Sequence, residues 1–176
     1  MCAKKSVLRV ADLRFSKLSQ LLGRYGLSLR LLDDDAPITG SFWGEPEAGI
    51  VRRRVYVRLD TPIHSLLHET CHVICMDEAR RAGLERDAGG DDLEEAAACY
   101  LQILLADYLP GVGRDRLMQD MDTWGYSFRL GSTRAWFESD AADACAWLRR
   151  HGLLGEAGTP TFVLRGSPVR PTRSSL

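Results

Sequence analysis

The sequence predicts an α+β fold: a small, mainly antiparallel sheet near the N-terminus, one long helix behind it, and a helical C-terminal half. Three observations carry this. Strand-like alternation stops at Leu59, only helical periodicity follows, and the segment between, TPIHSLLHETCHVICMDEARRAG, begins and ends like a helix. With 176 residues, 45% of them hydrophobic, the chain can bury a moderate core as one domain. We expect that domain over residues 1–155. Residues 156–176, rich in Gly, Pro, Ser, Thr and Arg, read as a loosely ordered tail.

The elements follow in order. A first helix spans about Ala11 to Tyr25, with Leu13, Leu18, Leu21 and Leu22 on one side and Gly26 as its stop. LSLRLL reads as a strand closed by the DDDAP turn, and ITGSFWG and GIVRRRVYVRL read as two more, joined at EPEA. In the last, alternation places Val51, Arg53, Val55, Val57 and Leu59 on one face and Arg52, Arg54, Tyr56 and Arg58 on the other. The long helix has Thr61 as N-cap, Pro62 at its first position, Arg80 and Arg81 near its end and Gly83 as its stop. Asp91 or Asp92 caps a second clear helix, LEEAAACYLQILLADYL. Beyond PGVG come a helix, an aromatic linker and a last helix.

Composition excludes some function classes. The net charge of −1 gives no general reason to bind nucleic acid or an anionic membrane. The stripe of Arg52, Arg54, Tyr56 and Arg58 is better read as arginine stems covering a sheet, their heads in water. No apolar run approaches the roughly 20 residues of a membrane helix, and SVLRVADL is too short and charged for a signal-peptide core. A cytoplasmic address is the expectation. Cys2, Cys71, Cys75, Cys99 and Cys145 show no CxxC spacing and read as reduced thiols.

The stretch His68-Glu69-Thr70-Cys71-His72 carries the chemistry. On a helix, residues four apart share a stripe, so His68 and His72 can converge on one tetrahedral zinc. Glu69 is rotated by 100° and cannot easily join as a ligand, but it can reach a metal-activated water as general base. The apolar positions Ile63, Leu66, Leu67, Thr70 and Ile74 lie away from the histidines. His64 shares their stripe, yet its Cα is about 12 Å from that of His72, too far for one ion. It reads either as a histidine near the cleft or as a surface residue. Cys75 is a possible soft ligand.

A catalytic zinc needs a third protein ligand, and the next helix offers Glu94 and Glu95. Glu94 lies closer to the apolar face of Leu93, Ala97, Tyr100, Leu101, Leu104 and Tyr108. Glu95 shares a stripe with Cys99 and Gln102. Tyr126 and Arg129, in TWGYSFRLGSTRAWF, are candidates to stabilise an oxyanion.

HETCH followed by EAAACY resembles the gluzincin metallopeptidases, which pair HExxH with a glutamate from the following helix. The order of helix, strands and hairpin before the motif is similar to the compact ImmA/IrrE group, over about residues 8–108. Where that group has EAN-x-F-A, this chain has EAAACY. The resemblance implies a small zincin-like domain, Glu95 rather than Glu94 as third ligand, and zinc-dependent hydrolysis of a peptide or protein substrate. An extended substrate would lie along the sheet edge at ITGSFWG. The alternative is a catalytically silent zincin-like module that binds a protein or nucleic-acid partner.

Overall fold

The computed structural model describes residues 6–168, which form a mixed α/β structure of seven α-helices and one three-stranded sheet. Strand β1 (Ser28–Leu31) forms where LSLRLL alternates. GIVRRRVYVRL does not make one strand. It folds back on itself as β2 (Gly49–Val51) and β3 (Arg54–Val57) around a two-residue turn. Arg52 takes φ of 53° in that turn, a position where glycine is usual, so the residues there announce no hairpin.

The reversal takes Arg52 and Arg53 into the turn, but the expected alternation holds along β3, where Arg54 is exposed and Tyr56 partly exposed on the face opposite Val55 and Val57. Val55 and Val57 are fully buried, whereas Arg53 turns to Glu78 at 3.1 Å and Arg58 to Asp60 at 2.7 Å. The strand order is β1-β3-β2, with β1 and β3 parallel and β2 and β3 antiparallel. The sheet is therefore mixed and not mainly antiparallel. The connection from β1 enters β2 at the finishing end of β1, β2 runs back toward its starting end, and after the hairpin β3 lies between them, parallel to β1.

ITGSFWG forms turns and bends, not a strand. Its backbone lies against β2, where the Ile50 N–H donates to Gly40 O at 3.1 Å. The approach is so close that a Cβ on Gly49 would sit 1.9 Å from Thr39 O. The loop thus covers part of the edge on which a substrate strand was expected.

The first helical segment splits into a 3₁₀ turn at Val10–Asp12 and helix α1 (Phe15–Gly23), stopped at Gly26 with φ of 71°. Helix α2 (Ile63–Cys75) holds the HETCH stretch and is the centre of the fold. Every residue in it except His68 is buried, and it packs against α4, α5, β2 and β3. Its buried positions include His64, Ser65, Glu69, Thr70 and His72 besides the apolar residues, so the two-faced reading of the sequence is too simple.

Pro62 is its N-cap residue, and Thr61 Oγ1 instead accepts from the Arg58 N–H at 2.9 Å. The helix also stops earlier than expected. Helix α3 (Glu78–Ala82) restarts after Asp77, which caps the Arg80 N–H at 2.9 Å. Arg81, fully buried, turns its guanidinium back onto the end of α2. It donates to the carbonyls of Val73 (2.9 Å), Ile74 (3.5 Å) and Met76, groups that have no partner within the helix.

Helix α4 (Asp92–Leu105) begins at Asp91, whose side chain accepts from the Glu94 N–H at 2.8 Å. Helix α5 (Gly113–Trp124) and the aromatic linker follow, and the expected last helix is two, α6 (Thr133–Ser139) and α7 (Ala142–Arg150). The break falls at Asp140, which is turned to Arg129 at 2.8 Å.

Residues 156–168 are not a loose tail. Leu154 and Pro160 form a β-bridge, Leu164 is buried, and the Arg165 N–H donates to Ile74 O at 3.0 Å. Phe162 packs between Tyr25 and Tyr108. The rest of the expected tail, 169–176, lies outside the described residues.

Arg81→Met should lower the unfolding free energy by about 3 kcal/mol, because it strips hydrogen bonds from buried carbonyls at the end of α2. Urea denaturation measures this. A loss under about 0.5 kcal/mol would contradict the capping role.

Candidate functional site

Helices α2 and α4 pack side by side, and the α4 stripe of Glu95, Cys99 and Gln102 faces α2. The Glu95 carboxylate lies across the two motif histidines: Oε1 is 3.1 Å from His68 Nε2, and Oε2 is 3.0 Å from His72 Nε2. The two Nε2 atoms are 3.0 Å apart. His68, His72 and Glu95 thus each offer one ligand atom within a sphere small enough that they could hold one metal ion. Donors at 2.0–2.1 Å from a tetrahedral ion stand about 3.3 Å from one another, close to the spacings seen here.

The hydrogen-bond pattern behind His68 sharpens this. Gln102, fully buried, donates its Nε2–H to the His64 backbone carbonyl at 3.2 Å. That orients its amide, so Oε1 is the atom facing His68 Nδ1 at 2.7 Å. Nδ1 must then carry the proton, and Nε2 presents its lone pair to the cleft. Lone pairs of His68 and Glu95 facing each other at 3.1 Å repel unless a positive species sits between or beside them. A proton or a metal ion satisfies the arrangement.

The acid–base balance points the same way. Burial opposes charge on His68, yet Tyr126, Cys99 and Glu95 outweigh it and raise the pKa well above the ordinary imidazole value. Burial would raise Glu95, but hydrogen bonds with His68 and His72 hold it far below the usual carboxylate range.

Glu94 faces elsewhere. Nearly buried, it takes Arg80 through two hydrogen bonds of 2.8 and 2.9 Å, and Arg165 at 3.3 Å. It ties α3, α4 and the 156–168 segment together and does not reach the histidines. The apolar face near Glu94 was a misleading guide because α4 is buried on more than one side, against α2 and α7.

Glu69, the proposed base, lies at the floor of a cleft of about 510 Å³ together with His68, His72 and Glu95. Burial pushes its pKa up, against the pull of His68 and His72 and with added repulsion from Glu47 and Glu95. His64 is fully buried, between Trp124 and Tyr126, so the surface reading of it falls. Burial lowers its pKa to about 3.

Tyr126 lines the cleft, but its hydroxyl is 3.2 Å from His64 Nδ1, in the layer behind His68. Burial raises its pKa well above the ordinary phenol value. Arg129 is exposed, pairs with Asp140 and lines no part of the cleft. Cys75 is fully buried and outside the cluster. Cys99 lines the cleft, its Sγ 3.8 Å from Glu95 Oε1. Among the described residues all cysteines are free.

Sequence reasoning missed the cleft walls. Phe42 and Trp43 come from the loop taken for a strand, and Trp124 ends α5. Glu47, in the turn between the expected strands, accepts from Trp124 Nε1–H at 2.9 Å and from the Ser65 hydroxyl at 3.2 Å. Pairs this distant in the chain leave no local pattern. No described helix is long and apolar enough to cross a membrane. No family model, curated protein or solved structure matches the chain.

Purified protein should take up about one equivalent of divalent metal, lost in His68→Ala, His72→Ala and Glu95→Ala, with Gln102→Leu weakening it about 10–100-fold. Glu94→Ala should keep the metal but lose about 1.5–3 kcal/mol of stability, since the partly exposed Arg80 and Arg165 lose their charged hydrogen-bond acceptor. Metal titration and urea denaturation separate the two glutamates. Equal metal loss in both would contradict the assignment.

His64 makes a pH prediction. Its folded pKa lies below its unfolded value of 6.5, so the unfolded chain binds the extra proton. Its contribution to stability is present above pH 6.5 and is lost as pH falls from there toward about 3. His64→Phe should flatten that part of the stability–pH curve. An unchanged slope would contradict a neutral buried imidazole.

Proposed function

We propose that the protein is a zinc-dependent hydrolase, most simply a peptidase of the gluzincin type and similar to the compact ImmA/IrrE group. One observation carries this reading: His68, His72 and Glu95 converge on one point, with Glu69 beside them on the floor of the same cleft. The sequence motif supplies the two histidines and the base, and the packing of α4 on α2 supplies the third donor.

Zinc held there would lower the pKa of a water toward neutrality and polarise a scissile carbonyl. The residues of the chain do the rest. Gln102 fixes the His68 tautomer so that Nε2 is free to bind. Glu69, raised in pKa by burial, takes a proton from the attacking water and returns it to the leaving amine. The cleft, with its aromatic walls, takes the extended peptide in place of the covered sheet edge. In this reading the domain is zincin-like.

Glu69→Gln should reduce hydrolysis of a mixed peptide library by about 10²–10⁴-fold while leaving bound zinc unchanged. Zinc-loaded wild-type protein that cleaves no member of the library, yet binds a protein or nucleic-acid partner, would overturn the enzyme reading in favour of a silent module.

A further inference from the structure

The walls of the cleft carry a feature that catalysis does not use. Phe42 and Trp43 stand 53% and 73% exposed, their rings edge to face at 5.1 Å, and Trp124 is 38% exposed. Three large aromatic side chains left in water around one cavity are costly unless something covers them. Glu47 lies on the same wall, and its two hydrogen bonds come from neutral donors, Trp124 Nε1–H and the Ser65 hydroxyl. No cation pairs with it among the described residues, and a carboxylate has lone pairs to spare beyond two bonds. Asp87 and Arg86 also line the cleft, and Asp87 accepts from the Gly89 N–H.

Aromatic faces with an unneutralised carboxylate are the surroundings that a cationic side chain seeks. The rings attract it through their quadrupoles and cover its methylene stem, and the carboxylate receives the charged head. An acidic residue would meet Glu47 as a like charge. A purely aliphatic one would cover the rings but leave the carboxylate to water.

We propose that Phe42, Trp43, Trp124 and Glu47 form a substrate subsite selective for a lysine or arginine side chain of the peptide. This rests on the peptidase reading and names the substrate class for the same cleft. The hydrogen bond from Trp124 to Glu47 joins α5 to the loop that carries Phe42 and Trp43, so ring and charge are held in one arrangement.

The test uses zinc-loaded Glu69→Gln protein, titrated with blocked alanine-based heptapeptides that carry lysine or its neutral analogue norleucine at each position in turn. Calorimetry and tryptophan fluorescence report binding. At one position lysine should bind about tenfold tighter than norleucine. Glu47→Gln, which retains an acceptor for Trp124, should abolish that preference, and Trp43→Ala, at an exposed site, should reduce it. Equal binding of lysine and norleucine at every position, or a preference unaltered by Glu47→Gln, overturns the proposal. Hydrolysis by wild-type protein without a basic preference sinks the subsite and leaves the peptidase standing. A lysine preference in binding, with no hydrolysis by the wild type, keeps the subsite and sinks the peptidase.

Discussion

The structure depends on how a helix buried on nearly every side accommodates polar residues. α2 places His64, Ser65, Glu69, Thr70 and His72 in the interior, with His68 only partly exposed. Each brings a polar group that costs free energy unless it is paired. Thr70 returns its hydroxyl to Leu66 O, and Ser65 connects to Glu47 and the Ala48 N–H. His68 and the backbone of His64 are joined by one glutamine from α4. His72 Nδ1 and His64 Nε2 have no partner. The interior of this small protein is therefore organised around its histidines, and the sheet and outer helices shield them.

The two glutamates at the start of α4 show how adjacent identical residues divide the labour. Glu94, buried, completes a charge network with Arg80 and Arg165 that holds the outer layer. Glu95, one residue and 100° further on, meets the histidines at the cleft. Arg81 plays a similar part beside this network at the C-terminal end of α2, where its guanidinium satisfies the terminal carbonyls. Charged residues are thus buried around the C-terminal end of the motif helix, and each is matched by several partners, as its desolvation demands.

Much of the site was legible because it is local. The spacing of His68, Glu69 and His72 follows from helical geometry alone, and the Glu95, Cys99 and Gln102 stripe is read from the same periodicity. The strands were less legible. A hairpin turn built on Arg52 carries no glycine signal, and parallel pairing of β1 with β3 depends on contacts distant in sequence. Phe42 and Trp43 are aromatic, as strand residues often are, but glycines at positive φ on either side, Gly40 and Gly44, turn the backbone away. The ordering of 156–168 was hidden because its composition is that of a tail, while its anchors, Phe162, Leu164 and Arg165, act singly.

The central claim is that His68, His72 and Glu95 coordinate one metal ion through the two Nε2 atoms and a carboxylate. X-ray absorption at the zinc edge on the zinc-loaded protein tests it most directly. The account predicts a first shell of nitrogen and oxygen only, at about 2.0–2.1 Å, with the outer-shell scattering of two imidazoles. A sulfur at about 2.3 Å, or a shell without imidazole, would place the metal elsewhere and contradict the account.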